Sequence, residues 1–458
     1  MSSSVEDIKT AIQNRTASIG IIGLGYVGLP LAVVIAGKGF KVMGFDVQDS
    51  RVRQVNEGMN YIGDVVGARL EELVQSGYLR ATTDFDLISD MDVIVICVPT
   101  PLDVHQQPDL RYVIASGKAI ASRMKPGALV ILESTTYPGT TEEIIQPILE
   151  GKWDEPIDSL NATERINQVS RVCGEDFFLA FSPERVDPGN ERYKTGNTPK
   201  IIGGVTENCS AAASLFYKSV LDAPVFTVSS PRVAEMEKLL ENIFRLVNIG
   251  LVNEMAVLCK QMRIDIWEVI EAAKTKPYGF MAFYPGPGLG GHCIPIDPFY
   301  LTYKAKEFGL QTRLIETAGD INRQMPHYVV QQSMRILNEQ AKAVKGARIL
   351  LLGMAYKADI DDWRESPALE IFDEFIRLGA DVFYHDPWVD MVKTGTGRYG
   401  SIDIAKEELE KIDLCIITTD HSNVDYEKIC EGVAAVFDTR NIVTRKGLLL
   451  PEGKYHKL

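Results

Sequence analysis

Residues 19–39 read IGIIGLGYVGLPLAVVIAGKG, and this stretch decides the fold. Residues 19–22 are a short apolar run, Gly23, Gly25 and Gly28 stand in the spacing G-x-G-x-x-G, and the remainder has the composition of a helix. Strand, glycine turn and helix in that order open a dinucleotide-binding βαβ unit. Gly23 permits the tight turn, Gly25 lets the backbone reach a pyrophosphate, and Gly28 lets the helix pack on the strand. The helix N-terminus then stabilises the anion, and Tyr26 and Val27 complete the loop around it. A second strand, residues 41–45, closes on Asp46. A carboxylate there accepts hydrogen bonds from ribose hydroxyls and repels a 2′-phosphate, which predicts NAD rather than NADP. The plainer reading of Asp46 is a turn residue at a strand end. Arg51, just beyond it, joins the predicted cofactor set.

Outward from this unit, residues 93–98, 129–132 and 177–180 are further apolar, β-branched runs alternating with helical segments. That alternation predicts a parallel sheet with helices on both faces. Pro99 and Thr100 follow one of these strands and Thr135, within Glu133-Ser134-Thr135-Thr136, follows another. All three should line the cofactor cleft. Residues 151–174 are polar and weakly periodic, a surface excursion.

From 231 to about 262 the pattern changes. Met236, Leu240, Ile243, Val247, Leu251, Met255 and Leu258 recur at spacings of three and four, which predicts one helix of roughly 45 Å. It suits a spine between domains or a dimer contact, and core packing would also explain its stripe. The last third starts again with ARILLLG at 347–353, a helix near 367–378, and strands at 381–384, 414–418 and 435–437. A second nucleotide-type fold is the simplest reading. Its turn, GMAYKA, keeps Gly353 but has Ala355 and Ala358 where the later glycines would stand, so a pyrophosphate could not approach as closely. The expected organisation is a mixed α/β chain of two Rossmann-like, doubly wound domains joined by a long central helix, divided at 1–220, 221–330 and 331–458.

Composition sets the class. The 458 residues are 45% hydrophobic and 24% charged, as in folded globular proteins. A net charge of −14 without a basic run disfavours nucleic acid and anionic lipid as partners. The longest apolar stretches fall far short of the roughly 20 residues of a membrane span, so no span is expected, and the polar N-terminus lacks the features of a secretory signal. A cytoplasmic location is expected. Seven cysteines at scattered spacings suit reduced thiols better than a disulfide framework or a zinc site, and no metal is expected.

The chemistry concentrates in PGPGLGGHCIPIDP, residues 285–298. A cysteine that fills a core prefers a strand or helix, whereas a glycine- and proline-rich loop presets a backbone that can approach a ligand. Cys293 therefore reads as a nucleophile. Asp297 could hold a water or assist the thiol, or be a turn residue. His292 adjoins Cys293 in sequence, and adjacent side chains usually point apart, which weakens it as the base. Lys238 and Asn242 share a helix face at i, i+4, as a solvated polar face or as ligand donors. Glu184, in Ser182-Pro183-Glu184-Arg185, follows a strand end and is a candidate base.

Together these residues resemble the UDP-glucose/GDP-mannose dehydrogenase family, the nucleotide-sugar 6-dehydrogenases. The carriers, in order, are GLGYVGLPLA, CVPTP, ESTTYPGTTE, FSPERVDPGN, AEMEKLLENIFRLVNIGLVNE, GGHCIPIDP and KADIDDWRESPA, which cover nearly the whole chain from about residue 18 to 440. The resemblance implies oxidation of a UDP-sugar C6 alcohol to a carboxylate with two NAD. It implies that Cys293 captures the aldehyde as a thiohemiacetal and then a thioester, that Lys238 and Asn242 stabilise the oxyanion, that Asp297 and Thr135 position water, and that Glu184 helps activate it. It further implies substrate contacts from Arg185, Val186, Tyr284, Gly286, Gly290, Lys357 and Arg364, a homodimer built on the middle helix, and UDP binding by the last third. The chemistry asks for the same types: a hydride acceptor, a thiol, a cation for charge on oxygen and a carboxylate for water.

The UDP-glucose branch has a PEFLREG-like stretch and an arginine before its PGPG loop. This chain has PERVDPGN, with Pro188 where that branch carries a second carboxylate, and Phe283-Tyr284 before the loop. It is similar instead to the N-acetylhexosamine branch. UDP-N-acetylglucosamine is the expected substrate, for surface polysaccharide precursor synthesis, ahead of UDP-N-acetylmannosamine, its galacto isomer and UDP-glucose. Two other readings share the fold: a single-hydride β-hydroxyacid dehydrogenase, which needs no cysteine, and a non-catalytic nucleotide-sugar sensor.

Overall fold

Apolar residues in successive positions leave a strand no face for water, so such strands belong in the middle of a covered parallel sheet. In the computed structural model, which describes residues 5–63, 65–103, 106–153, 170–187, 189–190, 192–291, 293–405 and 409–458, this is where they lie. Pro188, His292 and residues 154–169 of the polar excursion fall outside the described residues. The strands of the first sheet are β1 (Ser18–Ile22), β2 (Lys41–Phe45), β3 (Leu79–Thr82), β4 (Val93–Ile96), β5 (Leu129–Leu132), β6 (Phe178–Phe181), β7 (Lys200–Gly204) and β8 (Val225–Val228), in the order β3-β2-β1-β4-β5-β6-β7-β8. Ile19 pairs with Val42 on one side and Val93 on the other, both parallel. The first six strands have the order expected of a dinucleotide-binding fold, and every residue of β4, β5 and β6 is buried. One pairing breaks the parallel rule. β7 runs antiparallel to β6, with Ala180 opposite Gly204 and Phe181 opposite Gly203.

By contacts the chain divides into two units, residues 1–241 with 303–309, and residues 242–302 with 310–458. The second unit holds a five-stranded parallel sheet. Its strands are β9 (Arg348–Leu352), β10 (Asp381–His385), β13 (Leu414–Ile417), β14 (Val436–Asp438) and β15 (Tyr455–Lys457), in the order β10-β9-β13-β14-β15, and a hairpin of β11 (Met391–Lys393) and β12 (Arg398–Gly400) follows β10. Leu351 and Ile416 face one apolar cluster with Val329, Ile371 and Phe375, while Leu350 and Cys415 face another with Ile429 and Val443. Both faces of the sheet are thus covered, as a doubly wound fold requires. The first of these clusters is covered by a 27-residue helix, Arg313–Glu339, and by Pro367–Arg377, which starts with Ser366 accepting from the Ala368 N–H and proline at its first turn.

The helix Pro231–Met262 is continuous over 32 residues. Its periodic stripe is mixed: Met236, Leu240, Leu251, Met255 and Leu258 are exposed, Ile243 and Val247 are half-buried against the cluster of Leu246, Ile315 and Ala318, and the intervening Leu239, Leu246 and Ala256 are buried. The helix is long and apolar enough to cross a membrane by length and composition, at a mean hydropathy of 1.3 over 18 residues. Polar residues interrupt its apolar positions, so it holds no long unbroken apolar run. Core helices of proteins in water meet the same criterion, and this one buries Glu235, Lys238 and Asn242.

Candidate active site

The first glycine turn has the shape that its sequence predicts. Gly23 lies at φ +92°, and a Cβ there would come within 2.6 Å of the Cys97 carbonyl oxygen. At Gly28 a Cβ would stand 1.9 Å from the Gly23 carbonyl oxygen, so helix Gly28–Gly37 can sit this close only with glycine. At Gly25 a Cβ would meet nothing within 4 Å. That open approach fits a pyrophosphate, and it fits the NAD-type dinucleotide expected from Asp46. The Asp46 carboxylate is buried at the end of β2; Oδ2 accepts from the Leu24 N–H at 3.0 Å and, more weakly, from Arg51 at 3.4 Å, while Oδ1 accepts from the Gln48 N–H. Tyr26 is exposed, and the Tyr61 hydroxyl, which the sequence did not single out, donates to the Leu24 carbonyl at 2.7 Å and braces the same turn. Pro99 is exposed, Thr100 and Thr135 are half-buried, and Ser134 Oγ donates to the Val98 carbonyl, tying the loops after β4 and β5 together.

In the same unit, Glu184 follows β6. Its Oε1 accepts from the N–H groups of Arg185 and Val186 at 2.9 and 2.8 Å, and its Oε2 faces Lys200 Nζ at 3.3 Å. Burial alone would raise the Glu184 pKa, but Lys200, the Val186 N–H and Lys238 hold the carboxyl below its usual range. Lys238 is buried, not part of a solvated face, and donates to the Glu184 carbonyl at 2.6 Å. Val186 meets Glu184 through its backbone N–H. Arg185 is engaged by Glu237 and Glu241 and by the Pro199 carbonyl.

The second unit carries the thiol. Cys293 is exposed, while the other six cysteines are buried. Its carbonyl accepts from the N–H of Asp297 at 2.8 Å, where helix Asp297–Ala305 begins. Asp297 and Asn242 are both buried, and Asn242 Nδ2 donates to Asp297 Oδ2 at 2.6 Å. The loop before Cys293 is held by a buried amide chain absent from the sequence reading: Gly286 N–H donates to Asn253, Asn253 to Asn322, and Asn322 to the Leu246 carbonyl. Its glycines are there for contact. A Cβ at Gly290 would meet Tyr356 Cβ at 2.5 Å, and one at Gly286 would meet Arg440 at 2.7 Å. Gly291 N–H donates to the Arg364 carbonyl, and the Arg364 guanidinium makes a two-pronged pair with Asp362. Lys357 is half-buried. The Tyr284 hydroxyl donates to Glu271 at 2.6 Å, and its ring stacks on Trp267.

Three family models match in chain order: the NAD binding domain of the UDP-glucose/GDP-mannose dehydrogenase family at residues 17–221, its central domain at 232–324 and its UDP binding domain at 350–445. Among curated relatives, a UDP-N-acetyl-D-glucosamine 6-dehydrogenase of Pseudomonas aeruginosa is 35% identical over 408 residues, 89% of this chain and 91% of the relative. The chain belongs to the UDP-glucose/GDP-mannose dehydrogenase family. An NDP-N-acetyl-D-galactosaminuronic acid dehydrogenase of Ralstonia solanacearum is 34% identical over 96% of this chain and 99% of its own length. Among solved structures, a UDP-D-ManNAc dehydrogenase from Pyrococcus horikoshii superposes with a TM-score of 0.84 at 34% identity, covering 96% of this chain and 98% of that one. Membership makes the protein an NAD-dependent UDP-sugar dehydrogenase, an oxidoreductase, and explains why two Rossmann-like sheets share one chain. These relatives name three different sugars at nearly equal identity, so overall likeness does not select among them.

Proposed function

We propose that this dehydrogenase oxidises the C6 hydroxyl of a UDP-N-acetylhexosamine, first of all UDP-N-acetylglucosamine, to the uronic acid in the supply of surface polysaccharide precursors. The observation that carries the oxidation through a thiol is the exposure of Cys293, in a loop whose backbone is fixed by buried amides, while every other cysteine is buried; the N-acetylhexosamine choice rests on PERVDPGN and on Phe283-Tyr284 before the loop. NAD, which the Gly23–Gly28 turn and Asp46 would hold, would supply the hydride acceptor for each of the two oxidations. Cys293 adds to the aldehyde carbonyl, and the second oxidation leaves a thioester on its sulfur. Lys238 and Asn242 stabilise charge on the carbonyl oxygen, Asp297 and Thr135 place water, and Glu184, held ionised, takes the water proton. Arg185, Val186, Tyr284, Gly286, Gly290, Lys357 and Arg364 form the substrate set. The three-part division at 1–220, 221–330 and 331–458 stands as the working map of these roles.

The exposed stripe of the long helix supports a homodimer, because contiguous apolar surface of this kind marks an association face. The sugar-nucleotide substrate favours a cytoplasmic site of action.

A UDP-sugar panel with NAD tests the substrate; higher kcat/KM with the N-acetylmannosamine, N-acetylgalactosamine or glucose nucleotide would reassign it. Glu184→Gln tests the mechanism: an NADH burst approaching two per active site, with a sugar nucleotide covalently held on Cys293 in intact-protein mass spectra, is expected. Cys293→Ala should show no adduct and little oxidation. One NADH per turnover would instead indicate the single-hydride reaction.

A further inference from the structure

Lys200 is nowhere in the residue set above, yet it lies under the carboxylate to which thioester hydrolysis is assigned. The reversed direction of β7 puts it there. With Phe181 opposite Gly203, carrying the same register three residues on brings Lys200, the first residue of β7, level with Glu184 beyond the end of β6. Lys200 Nζ stands 2.9 Å from Glu133 Oε1 and 3.3 Å from Glu184 Oε2, its side chain 6% exposed and that of Glu133 wholly buried. Glu133 follows β5. Its other neighbours are the Tyr217 hydroxyl, which donates to Oε1, and Cys97 Sγ at 3.9 Å from Oε2. Among the described residues, the other charges facing Glu184 are Lys238 and Arg185, the latter engaged by Glu237 and Glu241.

A buried cation shared by two carboxylates has a consequence for proton transfer. If Glu184 were the sole partner of Lys200, protonating it would strand an ammonium out of water, at a cost of several kcal/mol. With Glu133 present, the ammonium keeps a second carboxyl partner at 2.9 Å in both protonation states of Glu184; burial pushes the Glu133 carboxyl above its usual range, and contact with the Lys200 ammonium and the Tyr217 hydroxyl opposes that rise. Burial depresses the Lys200 pKa on its own, but the two carboxylates reverse that and hold the ammonium charged.

We propose that Lys200 is a positioning residue that keeps Glu184 ionised as the base, and that Glu133 is the counter-ion that lets Glu184 accept a proton. This rests on the role given to Glu184 above. Hydrolysis forms a C–O bond to water and breaks the C–S bond, whose electron pair returns to the Cys293 sulfur. Glu184 takes one water proton and passes it to solvent, and the second leaves as the acid ionises.

The two neighbours should move the pH dependence of hydrolysis in opposite directions. The rate of adduct decay on Cys293 is followed by rapid quench and mass spectrometry across pH, with NAD and the UDP-sugar preferred in the panel. Lys200→Met should shift the acid limb upward by about one to three pH units, the range expected on losing a cation from beside a carboxylate. Glu133→Gln should shift it downward, because Lys200 then serves Glu184 alone, and Lys200→Arg should restore the wild-type limb. The effect should fall on kcat, not on KM for the sugar nucleotide. If Lys200→Met does not fold, Glu133→Gln still decides: a limb that stays in place or rises overturns the proposal. Adduct accumulation in Glu184→Gln together with unmoved limbs in the Lys200 and Glu133 variants overturns this inference alone. Absence of adduct in Glu184→Gln removes the role of Glu184 and this inference with it.

Discussion

Gly23 and Gly353 occupy the same place in the two sheets, each after the first strand and each with positive φ, +92° and +93°. Both turns are closed by an aspartate at the end of the neighbouring strand. Asp46 accepts from the Leu24 N–H, and Asp386 accepts from the N–H groups of Met354 and Ala355 at 2.6 and 2.9 Å. From there the two diverge. Beyond the first turn, Gly25 leaves open space and Asp46 has the half-buried Arg51, at 3.4 Å, as its only side-chain partner among the described residues. In the second turn Ala355 is buried, and Asp386 is covered by His421, itself buried: Asp359 N–H donates to His421 Nδ1, which leaves Nε2 to donate to Asp386 Oδ2. One fold, used twice, opens its turn to a ligand in one copy and seals it with its own side chains in the other. The capacity to take a dinucleotide therefore resides in a few positions and not in the topology.

The largest effect expected from this contrast is at Gly28. Gly28→Ala should weaken NADH binding roughly a hundredfold, since a Cβ 1.9 Å from the Gly23 carbonyl forces about 3 kcal/mol of distortion into the turn. UDP binding, the property of the family's third domain, should be unaffected. Ala355→Gly should confer no NADH affinity, because Asp386 and His421 still fill the site. NADH fluorescence and UDP calorimetry on the same proteins check both halves; NADH affinity that survives in Gly28→Ala would break the comparison.

The two aspartates give the next test. Asp46→Ser should narrow the preference for NAD over NADP about tenfold or more, by removing repulsion of the 2′-phosphate. Asp386→Ser should leave that ratio alone and lower stability by about 2–4 kcal/mol, because several buried donors lose their acceptor together. Ratios of kcat/KM and denaturant unfolding separate the outcomes. Equal changes in cofactor ratio from both variants would show that the second turn is not sealed.

How much of this was legible in the sequence follows the range of each signal. GLGYVG, Asp46 and the cysteine loop announce themselves within a few residues, and the strand ends they predict agree with the structure to within two positions. Lys200 does not, because β7 is five residues with two glycines and no alternation, and its antiparallel sense is a property of the sheet. The Asn253–Asn322 bond joins two helices whose polar residues look like solvated faces until they are packed. Periodicity in the long helix does not separate its exposed apolar residues, such as Leu240 and Leu251, from Ile243 and Val247, which pack on a core cluster, because both kinds share the same spacing. His421 was illegible for the opposite reason: nothing local distinguishes a buried histidine that fills a ligand's place from one in a turn.

The smallest effect concerns charge at the sealed turn. Burial by itself would raise the Asp386 pKa, but the hydrogen bonds from His421 and from the Ala355 and Trp388 N–H groups hold it below the usual carboxylate range. A depressed carboxylate binds its proton less tightly folded than unfolded. Its contribution to stability is therefore fully present above the ordinary carboxylate pKa of about 4 and is lost as pH falls through the folded value. Asp386→Asn removes that contribution at every pH. Its melting temperature should lie below wild type at pH 7 and converge on it toward pH 3, and scanning calorimetry across that range measures the approach. Curves that stay parallel would mean that the carboxylate serves only as a neutral acceptor, and that the sealed turn owes nothing to ionisation.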